Sequence, residues 1–277
     1  MSENNTNRLL REYGRFGDLD SPRISVVIPA HNEEAYISRA VESVLRQDYK
    51  GHVEVIIVSN GSTDNISEVV KGYAHKGVKL YETEKKGIGL ARNHGAQMAT
   101  GDVIVFLDAD TEMGDGFLDR VKEGTRKGYV GGFASIESES KGLGDSLYFG
   151  WQNFFNKMLT PVRNISRYLP EPVRKHVPKT GQGAAMYVRK DVFHDMRARG
   201  QGFREALKSW EDVDFIGKLH NYGWVDFIND KTVVTSDRRL RKEGLARMWL
   251  KRTRGYFFPE DVGREEYRAY RPALEVE

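Results

Sequence analysis

The chain has 277 residues, 39% of them hydrophobic with 13 Phe, 13 Tyr and 4 Trp, which is enough for a sizeable core and excludes wholesale disorder. It has no cysteine, which excludes disulfides and thiolate metal sites and makes a reducing cytoplasm the expected setting. The net charge is only +3 but unevenly distributed, residues 1–7 lack the apolar stretch of a secretory leader, and no run approaches the ~18 apolar residues of a spanning helix.

Residues 1–22 read as a polar arm with a short helix around 9–13. Ile24-Ser25-Val26-Val27-Ile28, ended by Pro29, predicts a buried strand. Residues 33–47 carry apolar side chains at Ile37, Ala40, Val41, Val44 and Leu45, the spacing of one helical face. The pattern then repeats: strands at 53–58, 78–81 and 102–107, with helices at 66–74 and 91–99. Strands apolar on both faces and alternating with helices predict a parallel sheet covered by helices. Beyond Gly131 the rhythm fails. Residues 135–144 are polar and Gly-rich, 145–159 predict an aromatic helix, and 161–178 read as a mobile connection. Further elements are expected at 183–188 (strand), 210–222 (helix) and 224–228 (strand).

In a parallel sheet ligands bind at the carboxyl ends of the strands, so the residues just past each strand matter most. These are Pro29-Ala30-His31-Asn32-Glu33-Glu34, Ser59-Asn60-Gly61-Ser62-Thr63-Asp64, Lys85-Lys86-Gly87-Ile88-Gly89-Leu90-Ala91-Arg92-Asn93 and Asp108-Ala109-Asp110. The Asp pair follows a wholly apolar strand, where two carboxylates suit a hard cation such as Mg²⁺ or Mn²⁺. Gly87 opens a helix whose amides suit a phosphate, with Lys86 and Arg92 adding charge. An ordinary Gly-rich turn with solvated lysines fits the same residues, and His31 is a candidate ligand or base, although a lone His beside a turn is more often ordinary surface. Trp210-Glu211-Asp212-Val213-Asp214 opens another helix, where acids serve either to complement the helix dipole or to deprotonate a hydroxyl.

These five blocks, in this order, resemble the inverting family-2 glycosyltransferases of the GT-A fold over roughly residues 24–216. The resemblance implies a Rossmann-like, mostly parallel α/β sheet with helices on both faces and a smaller mixed acceptor-side region. It implies a catalytic domain over 23–236, divided near residue 112 into a nucleotide-sugar half and an acceptor half, and a basic, aromatic extension over 237–277. It further implies that a sugar moves from a UDP- or GDP-linked donor to a hydroxyl on a glycan, lipid or small molecule. By the same resemblance Pro29, Ala30, Asn32 and Glu33 would line the nucleoside pocket, with Asn60 near the base and Lys86, Gly87 and Arg92 near the diphosphate. Asp108 would contact ribose or sugar, Asp110 would be the principal ligand of a divalent metal (Mn or Mg), and Asp212 would be the general base. Gly183, Trp210 and Glu211 would border the acceptor. One departure stands out: the family carries Asp-Asp where this chain has Ser59-Asn60.

Between 238 and 254 eight Arg and Lys face the single acid Glu243, interleaved with Leu240, Leu245, Met248, Trp249 and Leu250. Three readings fit: a helix packed on the core, an amphipathic helix on an anionic membrane surface over 238–258, or a phosphate contact from Arg238 or Arg239. No nucleic-acid recognition module is present. Two other classes compete with the transferase. A non-catalytic nucleotide-sugar-binding protein would be expected to lose Asp108, Asp110 or Asp212. A sugar-phosphate nucleotidyltransferase would be expected to open with a Gly-rich loop containing Arg.

Overall fold

The computed structural model describes residues 21–174, 176–178, 180–207 and 210–257. Most of the expected N-terminal arm, with its helix at 9–13, and the stretch from Phe258 onward lie outside these residues.

The first half follows from its strands. β1 (Ile24–Ala30) is buried along its whole length, as is β4 (Val103–Leu107), so both have hydrophobic neighbours above and below the sheet. With β2 (Val53–Asn60) and β3 (Val78–Thr83) they pair in parallel in the order β3-β2-β1-β4. Alternate residues of β1 serve opposite layers. Val26 and Ile28 meet Ile37 and Val41 of α1 (Ile37–Leu45), with α2 (Ile66–Lys71) in the same layer. Val27 meets Ala91 and Ala96 of α3 (Ile88–Met98). That second contact is close: a Cβ on Gly95 would lie 2.3 Å from Val27 Cγ1, so only glycine fits.

The second half completes one eight-stranded sheet, in the order β3-β2-β1-β4-β7-β6-β8-β5. β5 (Thr111–Met113) and α4 (Phe117–Arg126) follow the Asp pair, and β6 (Gly131–Ser138) leads into α5 (Leu143–Ser166) and the short α6 (Glu171–Arg174). β7 (Ala185–Arg189), antiparallel to β4 and β6, lies between them, and α7 (Lys190–Ala198) and α8 (Glu211–Leu219) follow it. β8 (Val225–Thr235) is parallel to β6 and antiparallel to β5, and the chain continues into α9 (Arg238–Glu243) and α10 (Leu245–Phe257). Among the described residues no helix is long and apolar enough to cross a membrane.

Three sequence readings are corrected. The start of the polar, glycine-rich stretch at 135–144 is strand, since residues 135–138 finish β6, while Gly142 and Gly144 begin α5. The strand expected at 224–228 runs on to Thr235, its polar centre carried across a register shift against β6. The helix expected to end near 159 passes through Pro161 to Ser166. Its last turns are held by buried polar bonds: Arg163 donates to the Arg174 and Val177 carbonyls, and Asn164 bonds both backbone groups of Val225.

Candidate active site

The carboxyl ends of β1, β2 and β4, with the β3–α3 turn, open into a cavity of about 580 Å³. Pro29, Ala30, Glu33, Asn60, Lys86, Gly87, Asp108 and Asp110 line it, together with His31, Glu205, Leu207 and Arg238. Gly87, at φ +145°, adopts a backbone that side-chain-bearing residues rarely take, and so turns the chain into α3. Asn60 sets that turn against β1. With its amide nitrogen toward the Ala30 carbonyl (2.5 Å), its oxygen accepts from the Gly87 N–H at 3.1 Å. Its carbonyl faces His31 Nδ1 at 2.9 Å.

Two residues expected at this cavity lie elsewhere. Asn32, at φ +55°, turns its side chain to accept from the Thr63 N–H at 2.7 Å, bracing one loop against the next. Arg92 is fully buried beneath the floor. Its guanidinium donates to Asp108 at 2.7 Å and to Glu211 at 2.6 Å, and it lies over the Phe203 ring. A cation so placed ties α3 to β4 and α8 instead of reaching a phosphate.

A second cation lines the cavity beside Lys86: Arg238, from the start of α9. It pairs with Glu33 and lies 3.2 Å from Asp110, with its guanidinium over the Tyr36 ring. The basic block is thus divided: Arg238 lines the larger cavity and Arg252 the smaller, while Arg241, Lys242 and Arg247 lie exposed and line neither.

A second cavity of about 190 Å³ shares Asp108 and Asp110 with the first. Gly183, Ala184, Gln182 and Asp212 line it, as do Tyr148 and Phe149 of α5 and Leu240, Met248 and Arg252. Gly183 passes so close to the carboxylate that an added Cβ would lie 3.0 Å from Asp212 Oδ2 and 3.2 Å from Arg92 Nη2. Trp210 begins α8 at φ +67°, a left-handed conformation that costs a bulky residue about 1–3 kcal/mol. Its ring carries the Arg252 guanidinium at 5.0 Å, and Arg252 in turn donates to the Gly181 carbonyl at 2.6 Å. Of the acids in the first turn of α8, Glu211 pairs with Arg92, and Asp214 with Lys218 and Arg204.

Burial dominates the electrostatics here. It pushes Asp108 up to about 6 and Glu211 up to about 7, with Arg92 opposing in both cases. Asp110 is also raised by burial, against the pull of Arg238. Among the described residues no group of three His, Asp or Glu forms a ready-made metal cage. The donor set at Asp110 is a carboxylate with Asp108 close in sequence and Glu33 across the cavity, Glu33 Oε2 being buried without a partner. One or two carboxylates completed by substrate phosphates are what Mg²⁺ or Mn²⁺ takes, so these residues fit such an ion bound together with a diphosphate.

Sequence reading missed the segment around Glu205–Leu207, which closes the cavity over α3. Asn93 holds it there, its amide donating to the Phe203 carbonyl and to Glu205. An aperiodic stretch leaves no pattern to read, and Asn93 was the one signal available.

The family model for glycosyl transferase family 2 matches residues 25–195. Glycosyltransferase AglE of Haloferax volcanii is 31% identical over 210 residues, covering 73% of this chain and 63% of the relative. Glycosyltransferase GlyA of Streptococcus pneumoniae is 30% identical over 83% of this chain but only 32% of its own length, so this chain spans less than two thirds of either relative. Among solved structures, S. aureus TarS in complex with UDP matches with a TM-score of 0.58 at 21% identity, covering 77% of this chain and 60% of that one. The mannosyltransferase PcManGT of Pyrobaculum calidifontis, in complex with GDP-Man and Mn²⁺, matches with a TM-score of 0.57 at 21% identity, covering 96% and 76%. Those likenesses establish the GT-A fold, and the family model, matching well over half of the sequence, establishes that the chain belongs to glycosyl transferase family 2.

Proposed function

We propose that the chain is an inverting glycosyltransferase, moving a sugar from a nucleoside-diphosphate donor bound in the larger cavity to a hydroxyl acceptor bound in the smaller. The observation that carries this reading is the meeting of the two cavities at Asp108 and Asp110, with cations on one side and Asp212 on the other. Pro29, Ala30 and Asn60 form the nucleoside end, and Lys86, the Gly87 turn and Arg238 receive the diphosphate. Asp108, held by Arg92, contacts ribose or sugar. Asp110, with Asp108 beside it, would hold a divalent metal, which would supply charge stabilisation for the departing diphosphate. The UDP and GDP-Man bound in the fold neighbours favour a nucleotide-sugar donor without choosing its base.

Asp212 acts on the acceptor. It takes the hydroxyl proton as the acceptor oxygen bonds to the anomeric carbon and the bond from that carbon to the diphosphate oxygen breaks. Attack from the face opposite the leaving group inverts the centre. Gly183 lets Asp212 approach closely, Glu211 fixes its helix through Arg92, and Trp210 with Arg252 braces the acceptor side.

Nucleoside-diphosphate release from a panel of UDP- and GDP-linked sugars, with Mn²⁺ or Mg²⁺ and with chelator, tests this reading. Turnover of one donor that chelator abolishes is expected. No release from any donor with any acceptor would overturn it.

A further inference from the structure

Helix α5 changes character along its length: its first turns bury Tyr148 and Phe149, but from Gln152 onward its buried side is polar, comprising Gln152, Asn156, Thr160, Arg163, Asn164 and Ser166. Most of those groups have protein partners: Asn156 accepts from the Gly181 N–H, Thr160 donates to the Asn156 carbonyl, and Asn164 bonds Val225, while Gln152 lines the second cavity. Its outer side is apolar. Leu143, Leu147, Phe154, Met158, Val162 and Ile165 are all at least half exposed, Leu143 reaching 81%. Their spacing of three, four and seven residues draws one continuous stripe along a helix of about 36 Å. A helix against water has the reverse arrangement, and an exposed apolar stripe of this extent marks an interaction surface.

The stripe extends sideways. Trp151 of α5 packs on Trp249 of α10 at 5.3 Å between ring centres. Trp249 and Leu250 on α10 are themselves exposed, at 44% and 65%. Beyond the end of α5, Tyr168, Leu169 and Val173 continue the apolar surface. The α9–α10 segment bordering it carries the basic block, with Arg241, Lys242 and Arg247 exposed and Glu243 the single acid between 238 and 254. An apolar stripe, an interfacial Trp and a cationic border describe a surface that lies on an anionic bilayer, the apolar side chains reaching below the headgroups and the cations meeting lipid phosphates.

We propose that the α5–α10 face docks this protein on an anionic membrane surface. The cationic border argues for an anionic occupant, a charge that lipid headgroups supply and that a second copy of the same basic-bordered face does not. The same helices wall the smaller cavity through Tyr148, Phe149 and Met248, so docking holds that cavity at the bilayer surface. The proposal is independent of the transferase reading, because it predicts binding in the absence of any donor.

Sedimentation with vesicles tests it. The full chain is expected to pellet with phosphatidylglycerol–phosphatidylcholine vesicles at low salt and to be released at high salt, and to bind pure phosphatidylcholine at least tenfold more weakly, by about the contribution of several cations. Tryptophan fluorescence is expected to shift to the blue on binding, and the shift to shrink in Trp249→Phe. Replacing the exposed trio, Phe154→Ser, Met158→Ser and Val162→Ser, is expected to weaken binding about tenfold with the melting temperature unchanged. Lys242→Ser with Arg247→Ser, far from the buried polar side of α5, is expected to weaken binding to anionic vesicles only. Absence of sedimentation at low salt, or binding unaltered by both sets of changes, would overturn the proposal. So would a solution dimer that the Phe154 trio dissociates, since a second copy would then be the occupant of this face.

Discussion

Arg238 lies 3.2 Å from Asp110 and pairs in the same place with Glu33, so a guanidinium stands over the carboxylate to which we assign the metal. In the proposed cycle the incoming diphosphate and its cation draw Arg238 off these acids and onto the phosphate. Replacing it removes a charge-assisted contact worth about 1.5–3 kcal/mol. Arg238→Gln is therefore expected to weaken nucleoside-diphosphate binding by about tenfold or more, read by titration calorimetry, with little change in melting temperature. Unaltered affinity would place Arg238 outside the donor site.

Arg92 is a different kind of cation. It is buried between Asp108 and Glu211, and removing it leaves two buried acids without their partner. Arg92→Ala is expected to lower unfolding stability by about 3–5 kcal/mol in chemical denaturation, the usual result of breaking a buried pair from one side.

The raised acids give the free protein a characteristic pH dependence. Asp108 and Glu211 titrate near 6 and 7 when folded, against ordinary values of 3.8 and 4.5, so between these limits the folded chain binds more protons than the unfolded one. Their contribution is full below about pH 4 and is lost as pH rises through 6 and 7. Glu211→Gln is expected to flatten the upper part of that slope in denaturation curves taken across this range. Metal and diphosphate, which favour ionised Asp108, are expected to bind more tightly as pH rises through about 6.

Much of this was legible in the sequence, and the failures have physical causes. The β-branched runs of β1, β2 and β4 can be read because strands buried on both faces must be apolar throughout. Asp108 and Asp110 can be read because they follow such a strand directly. Arg92 was misplaced because a motif position says nothing about burial; its partner Glu211 is 119 residues away. The resemblance puts Asn32 at the pocket, but its left-handed backbone turns the amide toward Thr63. Arg238 was visible as charge but not as position, since its contact with Glu33 spans 205 residues. The reversed polarity of α5 was hidden because apolar spacing identifies a helical face without telling which side meets the core.

Gly183 offers a test of the acceptor side alone. A methyl group there would press on Asp212 Oδ2 at 3.0 Å, while lying outside the donor cavity. Gly183→Ala is expected to lower kcat by about tenfold or more and to leave the donor KM nearly unchanged, as loss of a transition-state contact does.

Asp212→Asn bears most directly on the proposed mechanism, because the side chain keeps its shape and loses its basicity. The measurement is donor binding by calorimetry alongside sugar transfer by product formation, on the same preparation. The account predicts donor affinity equal to that of the parent and transfer reduced by about 10²–10⁴-fold, the usual contribution of a general base. Transfer at the parental rate would contradict it.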